Sequence, residues 1–125
     1  MTELSKNSPS NVLLFACSGA SDVGEVADRA TRTVAKMGAA SMACLSAISA
    51  REANTLKKAE SASRIIAVDG CGFGCAHKNL LNAGFESVEQ VKLSELGLVK
   101  GKTEVGEKSI AIVSQHLECQ LNNNA

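Results

Sequence analysis

Five cysteines carry most of the chemistry that this 125-residue chain can offer. A thiolate is both a nucleophile and a soft metal ligand, so the first question is whether these thiols can meet. Cys17 ends the apolar run "NVLLFAC" and leads through Ser18 into the small-residue loop "GASDVGE". Cys71 and Cys75 form a C-x3-C pair inside "DGCGFGC". If a helix has begun by Cys71, the four-residue spacing puts both thiols on one face. If it has not, Gly72 and Gly74 let the backbone fold around an ion. Both cysteines would then lie near a helix N-terminus, whose partial positive charge favours thiolates. Cys17, Cys44, Cys71 and Cys75 could converge along one edge of a sheet, and four thiolates match the tetrahedral shell of zinc.

Each of these residues also has a plainer reading. Cys44, within "MACLSAI", reads equally well as a ligand or as a small buried hydrophobe. Cys119 suits packing or surface, and an isolated H-x2-C with His116 is a poor metal signal. His77 falls in the first turns of its helix and suits a solvated or hydrogen-bonded role. Asp69 ends a strand just before Gly70 and Cys71. It could act as a general base, but such an Asp more often accepts backbone hydrogen bonds and fixes the turn. A strand–Cys–loop–helix order also describes the phosphate loop of low-molecular-weight phosphatases. There an Arg six residues after the Cys clamps the oxyanion, whereas here that position is Val23 and Asp22 adds negative charge. "GASDVGE" is no Walker loop, since it lacks the terminal Gly-Lys-Ser/Thr. Its backbone N–H groups could still hold a small anion or the thiolates, or it could be only a tight connection.

The elements that must position these groups follow from periodicity. "NVLLFAC" is a continuous apolar run, as for a strand buried on both faces. Val23, Val26, Ala27, Ala30, Val34 and Met37 follow helical spacing, with Asp22 and Glu25 as a capping box and Gly38 at the end. "SMACLSAI" follows as the next strand, with Cys44 within it or toward its end. Ser49 and Glu52 suggest a second capping box, opening a helix through about Glu60. "RIIAVD" is a third strand and "CGFGCAHKNLLNAG" a turn and helix stopping near Gly84. "SVEQVKL" is a fourth strand near an edge. A last helix beginning around Thr103 carries the stripe Ile110, Val113, Leu117 and Leu121. This alternation predicts an α/β fold: one domain, a three-layer α/β/α sandwich with a mostly parallel four-stranded sheet. Such sheets bind ligands beyond the carboxyl ends of their strands, where Cys17 and Cys71 fall.

Composition narrows the function classes. Thirteen basic and 13 acidic side chains balance, and the aromatic residues are three Phe with no Trp or Tyr. Neither a basic field nor a base-stacking platform is present, so no nucleic-acid partner is expected. "REANTLKK" reads as a solvated helix face. The polar start lacks the pattern of a signal peptide, and no apolar run approaches the ~20 residues of a membrane span. A cytoplasmic protein with no membrane partner is expected. In that compartment an odd set of five cysteines is better used as ligands or reactive thiols than as disulfides.

The segments "CSGASDVG", "MACLSAI", "DGCGFGCAHKNL" and "LGLVKGK" resemble the DGC-domain family of zinc-binding proteins, named for its Asp-Gly-Cys signature, here Asp69, Gly70 and Cys71. The resemblance runs from about Asn11 to the C-terminal helix. It implies four cysteine ligands, on Cys17, Cys44, Cys71 and Cys75, a Zn2+ cofactor, and Cys119 outside the set. The family's zinc assignment rests chiefly on its cysteines, so no known reaction comes with it. The chain then divides into a disordered segment 1–10, a DGC-type metal-binding domain over 11–121 and a frayed tail 122–125. Two functions stand against each other. One is a metal-binding module whose partners are the metal ion and a small anion or a protein. The other is an enzyme or a redox or sulfur-transfer protein using one thiol as nucleophile. Apart from Asp69 and His77 no activating base is in sight, which favours the module, and no residue is assigned a catalytic role.

Overall fold

The run Val12–Ala16 is apolar at every position because both of its faces are covered. This strand, β1, sends Val12 and Leu14 into one core and Leu13 and Phe15 into another, all of them 5% exposed or less. Burying side chains of this size is worth about 1.5–3 kcal/mol each. The computed structural model describes residues 11–123. The expected disordered segment 1–10 lies outside the described residues, as do positions 124 and 125 of the expected tail.

The elements run β1, α1 (Asp22–Lys36), β2 (Ser41–Met42), α2 (Leu45–Ser49), α3 (Ala53–Glu60), β3 (Arg64–Asp69), α4 (Cys75–Asn82), β4 (Val88–Lys92), a 3-10 turn (Leu93–Leu96) and α5 (Glu107–Asn122). All strand pairs are parallel, in the order β2-β1-β3-β4. The first core packs α1 and α5 on one face, through Val23, Val26, Val34, Val113 and Leu117. The second packs α2, α3 and α4 on the other, through Ile48, Ala59, Ala76 and Leu80. The fold is therefore the expected three-layer α/β/α sandwich, with β4 at an edge. Among the described residues, no helix is long and apolar enough to cross a membrane.

The local elements differ from the sequence expectation in four places. "SMACLSAI" yields only a two-residue strand before turning helical at Leu45, because β2 lies at the sheet edge and Ile48 is drawn into the second core. The cap of α1 is Ser21, whose side chain accepts from Gly24 N–H at 3.1 Å, not an Asp22–Glu25 box. The cap of α3 is Glu52 itself, which accepts from Asn54 and Thr55 N–H, while Ser49 belongs to α2 and bonds Asn79 instead. The last helix begins at Glu107, because the segment before it is tied across to α1. Asp22 accepts from Gly101 N–H at 2.9 Å and Thr103 N–H at 3.0 Å. These donors, Gly101 first, hold the Asp22 carboxyl below its ordinary pKa.

At the amino-terminal end of β3, Arg64 joins β3, β4 and α5. Its guanidinium makes a two-pronged pair with Glu89 at 2.7 and 2.8 Å, and donates to the carbonyls of Gln120 and Leu121 at the end of α5. Hydrogen bonds from Arg64, and then one from the Gln120 amide, hold the Glu89 carboxyl below its ordinary 4.5 against the opposing effect of burial. A depressed folded-state pKa adds stability above the unfolded value, lost as pH falls through the folded one. Arg64→Ala is expected to cost about 1–2 kcal/mol at pH 7, discounted for partial exposure of the pair. The deficit should shrink on acidification below about pH 4.5, where the wild type loses the same interaction. Thermal melts of both proteins from pH 7 to pH 3 check this.

Candidate metal centre

The sheet register decides where the thiols stand. Ala16 pairs with Val68, and Cys17 N–H continues the ladder to the Val68 carbonyl at 3.0 Å. Cys17 is thereby held beside Asp69 and Gly70, at the carboxyl ends of the two central strands. Gly70 N–H donates to Cys17 Sγ at 3.3 Å, which fixes where the sulfur stands against the turn. Cys17 packs against both cores, and Cys71 against the first. Between β1 and β3 the connections leave to opposite faces, β1 into α1 and β3 into α4. This is the switch point at which open α/β sheets form their ligand crevice.

Each residue of Asp-Gly-Cys has a distinct physical role here. Helix α4 starts at Gly74, which is left-handed at φ 66° and has no side chain to cap the helix. Asp69 supplies the cap from five residues upstream. Its buried carboxylate accepts from Ala76 N–H at 2.7 Å, His77 N–H at 3.2 Å and the Gln90 amide at 3.0 Å. Asp69 is thus a turn-fixing acceptor, and Cys75 is carried to the first turn of α4. Gly70 lies against α1 so closely that a Cβ there would stand 2.7 Å from the Val23 carbonyl carbon and oxygen and 2.9 Å from Gly24 N. Cys71 follows with its thiol half-buried. Gly70→Ala is expected to push β3 and α1 apart at a cost of about 3 kcal/mol, read as a lowered denaturation midpoint with unchanged slope.

Two cavities flank Cys17. The smaller, about 450 Å³, occupies the switch point and is lined by Cys17, Cys71, Cys75, Asp69, Phe73 and Lys100 among others. The larger, about 830 Å³, opens on the β2 side, where Cys17 and Cys44 share the wall with Glu25, Asp28 and Arg32. Cys44 is exposed, two residues past β2 at the start of α2. Ser18, left-handed at φ 50°, swings the chain out of β1 and donates to Asp28 at 2.8 Å, which also pairs with Arg32. Cys17 is thus the thiol common to both cavities.

All five cysteines are free thiols. Among the described residues, no three His, Cys, Asp or Glu side chains stand as a group that could hold an ion in common. Of the expected quartet, Cys17, Cys71 and Cys75 line one cavity, and Cys44 lines the next. Cys119 is exposed on α5, next in sequence to Gln120 and Leu121, whose carbonyls meet Arg64 at the amino-terminal end of β3. His116 is exposed, and His77 is half-buried with its backbone N–H on Asp69. Sequence reasoning missed Lys100 and Phe73. Lys100 Nζ lies 5.4 Å from the centre of the exposed Phe73 ring, on the wall of the three-thiol crevice. The two residues belong to "LGLVKGK" and "DGCGFGCAHKNL", but only the tie from Asp22 to the loop brings them together.

The chain is 30% identical over 88 residues to the Anaerobic and virulence modulator AnvM of Pseudomonas aeruginosa, covering 70% of this chain and 67% of that protein. No solved structure matches. The sequence model of the DGC domain matches residues 13–117, most of the chain including all four expected ligands, and the protein therefore belongs to the DGC-domain family.

Proposed function

We propose that the protein is a metal-binding module holding one zinc ion through the thiolates of Cys17, Cys44, Cys71 and Cys75. The observation that carries this is the meeting of Cys17 with the Gly70–Cys71 turn across the β1–β3 ladder, sealed by the Gly70 N–H to sulfur bond. The donor set fits the ion. Soft thiols on glycine-rich connections suit zinc, and Gly72 has open space around its Cα for the turn to adjust. Membership of the DGC family supports metal binding in general. When bound, zinc would draw the loops after β1, β2 and β3 together and keep their thiols deprotonated. A thiol enzyme is the second reading, favoured by the crevice's position at the switch point. Against it, Asp69 is already committed to three donors, and the Pseudomonas relative is named as a modulator, not for a reaction.

The direct test is elemental analysis of protein purified without added metal, with free thiols counted before and after chelation. About one zinc per chain and about four thiols released by the chelator are expected. No stoichiometric metal, together with one unusually reactive cysteine, would overturn the module in favour of thiol chemistry.

A further inference from the structure

We propose that the chain, freed of metal, carries out thiol–disulfide exchange on amino-acid or short-peptide disulfides: Cys17 attacks the substrate from the larger cavity, and Cys71 resolves the product from the crevice on its other side. This goes beyond the zinc reading, which concerns the metal-loaded chain. The first observation is that Cys17 alone among the thiols stands on both cavities. Its backbone N–H holds the Val68 carbonyl at 3.0 Å, and Gly70 N–H meets its sulfur at 3.3 Å. A fixed donor is thus aimed at the sulfur that must carry charge in an exchange. Cys71 follows Gly70 directly, so the second thiol comes one residue from the nitrogen that touches the first, and it lines the same crevice.

The larger cavity carries the groups that recognise the substrate. Its volume of about 830 Å³ falls within the about 300–1,000 Å³ of small-molecule sites. Ser18, next to Cys17, is left-handed at φ 50° without being glycine, a strained conformation of the kind that clusters at functional turns. Its hydroxyl donates to Asp28 at 2.8 Å, and Asp28 accepts from Arg32 Nε at 2.8 Å. Held through Nε, the guanidinium keeps both terminal nitrogens for a carboxylate. On the same wall, Glu25 pairs with Arg29 through Oε2 at 3.3 Å and keeps Oε1 for an ammonium. One cation and one anion beside the nucleophile select a zwitterion. Exchange asks for a thiolate and access, so the commitment of Asp69 to its three donors is no obstacle. Deprotonated Cys17 attacks one substrate sulfur. The substrate S–S bond breaks as the bond to Cys17 forms, and the released half leaves as a thiolate that takes a proton from water. Cys71, its proton given to water, then attacks the Cys17 sulfur and expels the second half in the same way. The two protein thiols are oxidised to a disulfide, and the substrate disulfide is reduced to two thiols.

The test uses the full chain, reduced and stripped of metal by a chelator, with oxidised glutathione as the probe. Acid-quenched samples are read by intact mass and peptide mapping. The wild type should release about two glutathione per chain and end with a Cys17–Cys71 disulfide. C71S should stop with glutathione on Cys17. R32Q should slow the capture of oxidised glutathione roughly two- to fivefold more than that of cystamine, a disulfide with no carboxylate, which is the worth of one exposed charge pair. The proposal is overturned if glutathione appears first on Cys44, Cys75 or Cys119, or if C71S still closes an internal disulfide. It is equally overturned if R32Q changes both probes alike, or if C17S, melting like the wild type, reacts as fast as the wild type. The zinc reading is decided by the metal content of the chain as purified, so the two fail separately.

Discussion

Asp69→Ala is expected to lower stability by about 3 kcal/mol, with a fall in melting temperature of roughly 10–15 °C. The carboxylate is 1% exposed and satisfies two backbone N–H groups of α4 and the Gln90 amide. Alanine strands all three donors, and Gly74 at the helix start has no side chain to offer instead. The first turn of α4, which begins at Cys75, should therefore fray. Asp69→Asn keeps one acceptor oxygen for Ala76 N–H, and the Gln90 amide can turn to present its oxygen, so about half the loss is expected. Hydrogen exchange at Ala76 and His77 should rise in the alanine variant more than at α1 amides. A melting temperature within a degree or two of wild type would contradict this account of the signature aspartate.

The second large effect concerns the metal. With free zinc held about a thousandfold above its dissociation constant, the wild type should gain about 4 kcal/mol over the chelated protein. Cys71→Ser and Cys75→Ser should gain little, because each removes a thiolate of the crevice. Cys119→Ser should gain as much as wild type, since Cys119 is an exposed residue of α5 that lines neither cavity flanking Cys17. All four proteins should stay folded without metal, because the two apolar cores on either side of the sheet do not depend on the ion. Zinc-buffered thermal melts decide it. Equal loss of zinc stabilisation in Cys119→Ser would sink the ligand assignment.

Much of the fold was legible in consecutive residues. "RIIAVD" was a strand because Ile66 and Val68 feed one core while Ile65 and Ala67 feed the other, so every position had to be apolar or nearly so. The stripe Ile110, Val113, Leu117 and Leu121 was a helix face for the same reason of burial. "SMACLSAI" misled because a short apolar run does not distinguish an edge strand from a buried helix turn. The caps of α1 and α3 are Ser21 and Glu52 because Asp22 is committed to Gly101 and Thr103, and Ser49 lies in α2 and bonds Asn79. Nothing local in Asp22 announces that it pins a loop about 80 residues later.

By itself, then, the sequence determined the alternation of strands and helices, the apolar faces and the set of thiols worth watching, because burial and periodicity are written in consecutive residues. Only the tertiary structure decided that Cys17 meets the Gly70–Cys71 turn, that Cys44 stands on a separate cavity and that Lys100 overlooks the crevice. Those juxtapositions depend on strand order and register, and these are set by long-range pairing energies that no short stretch of chain contains.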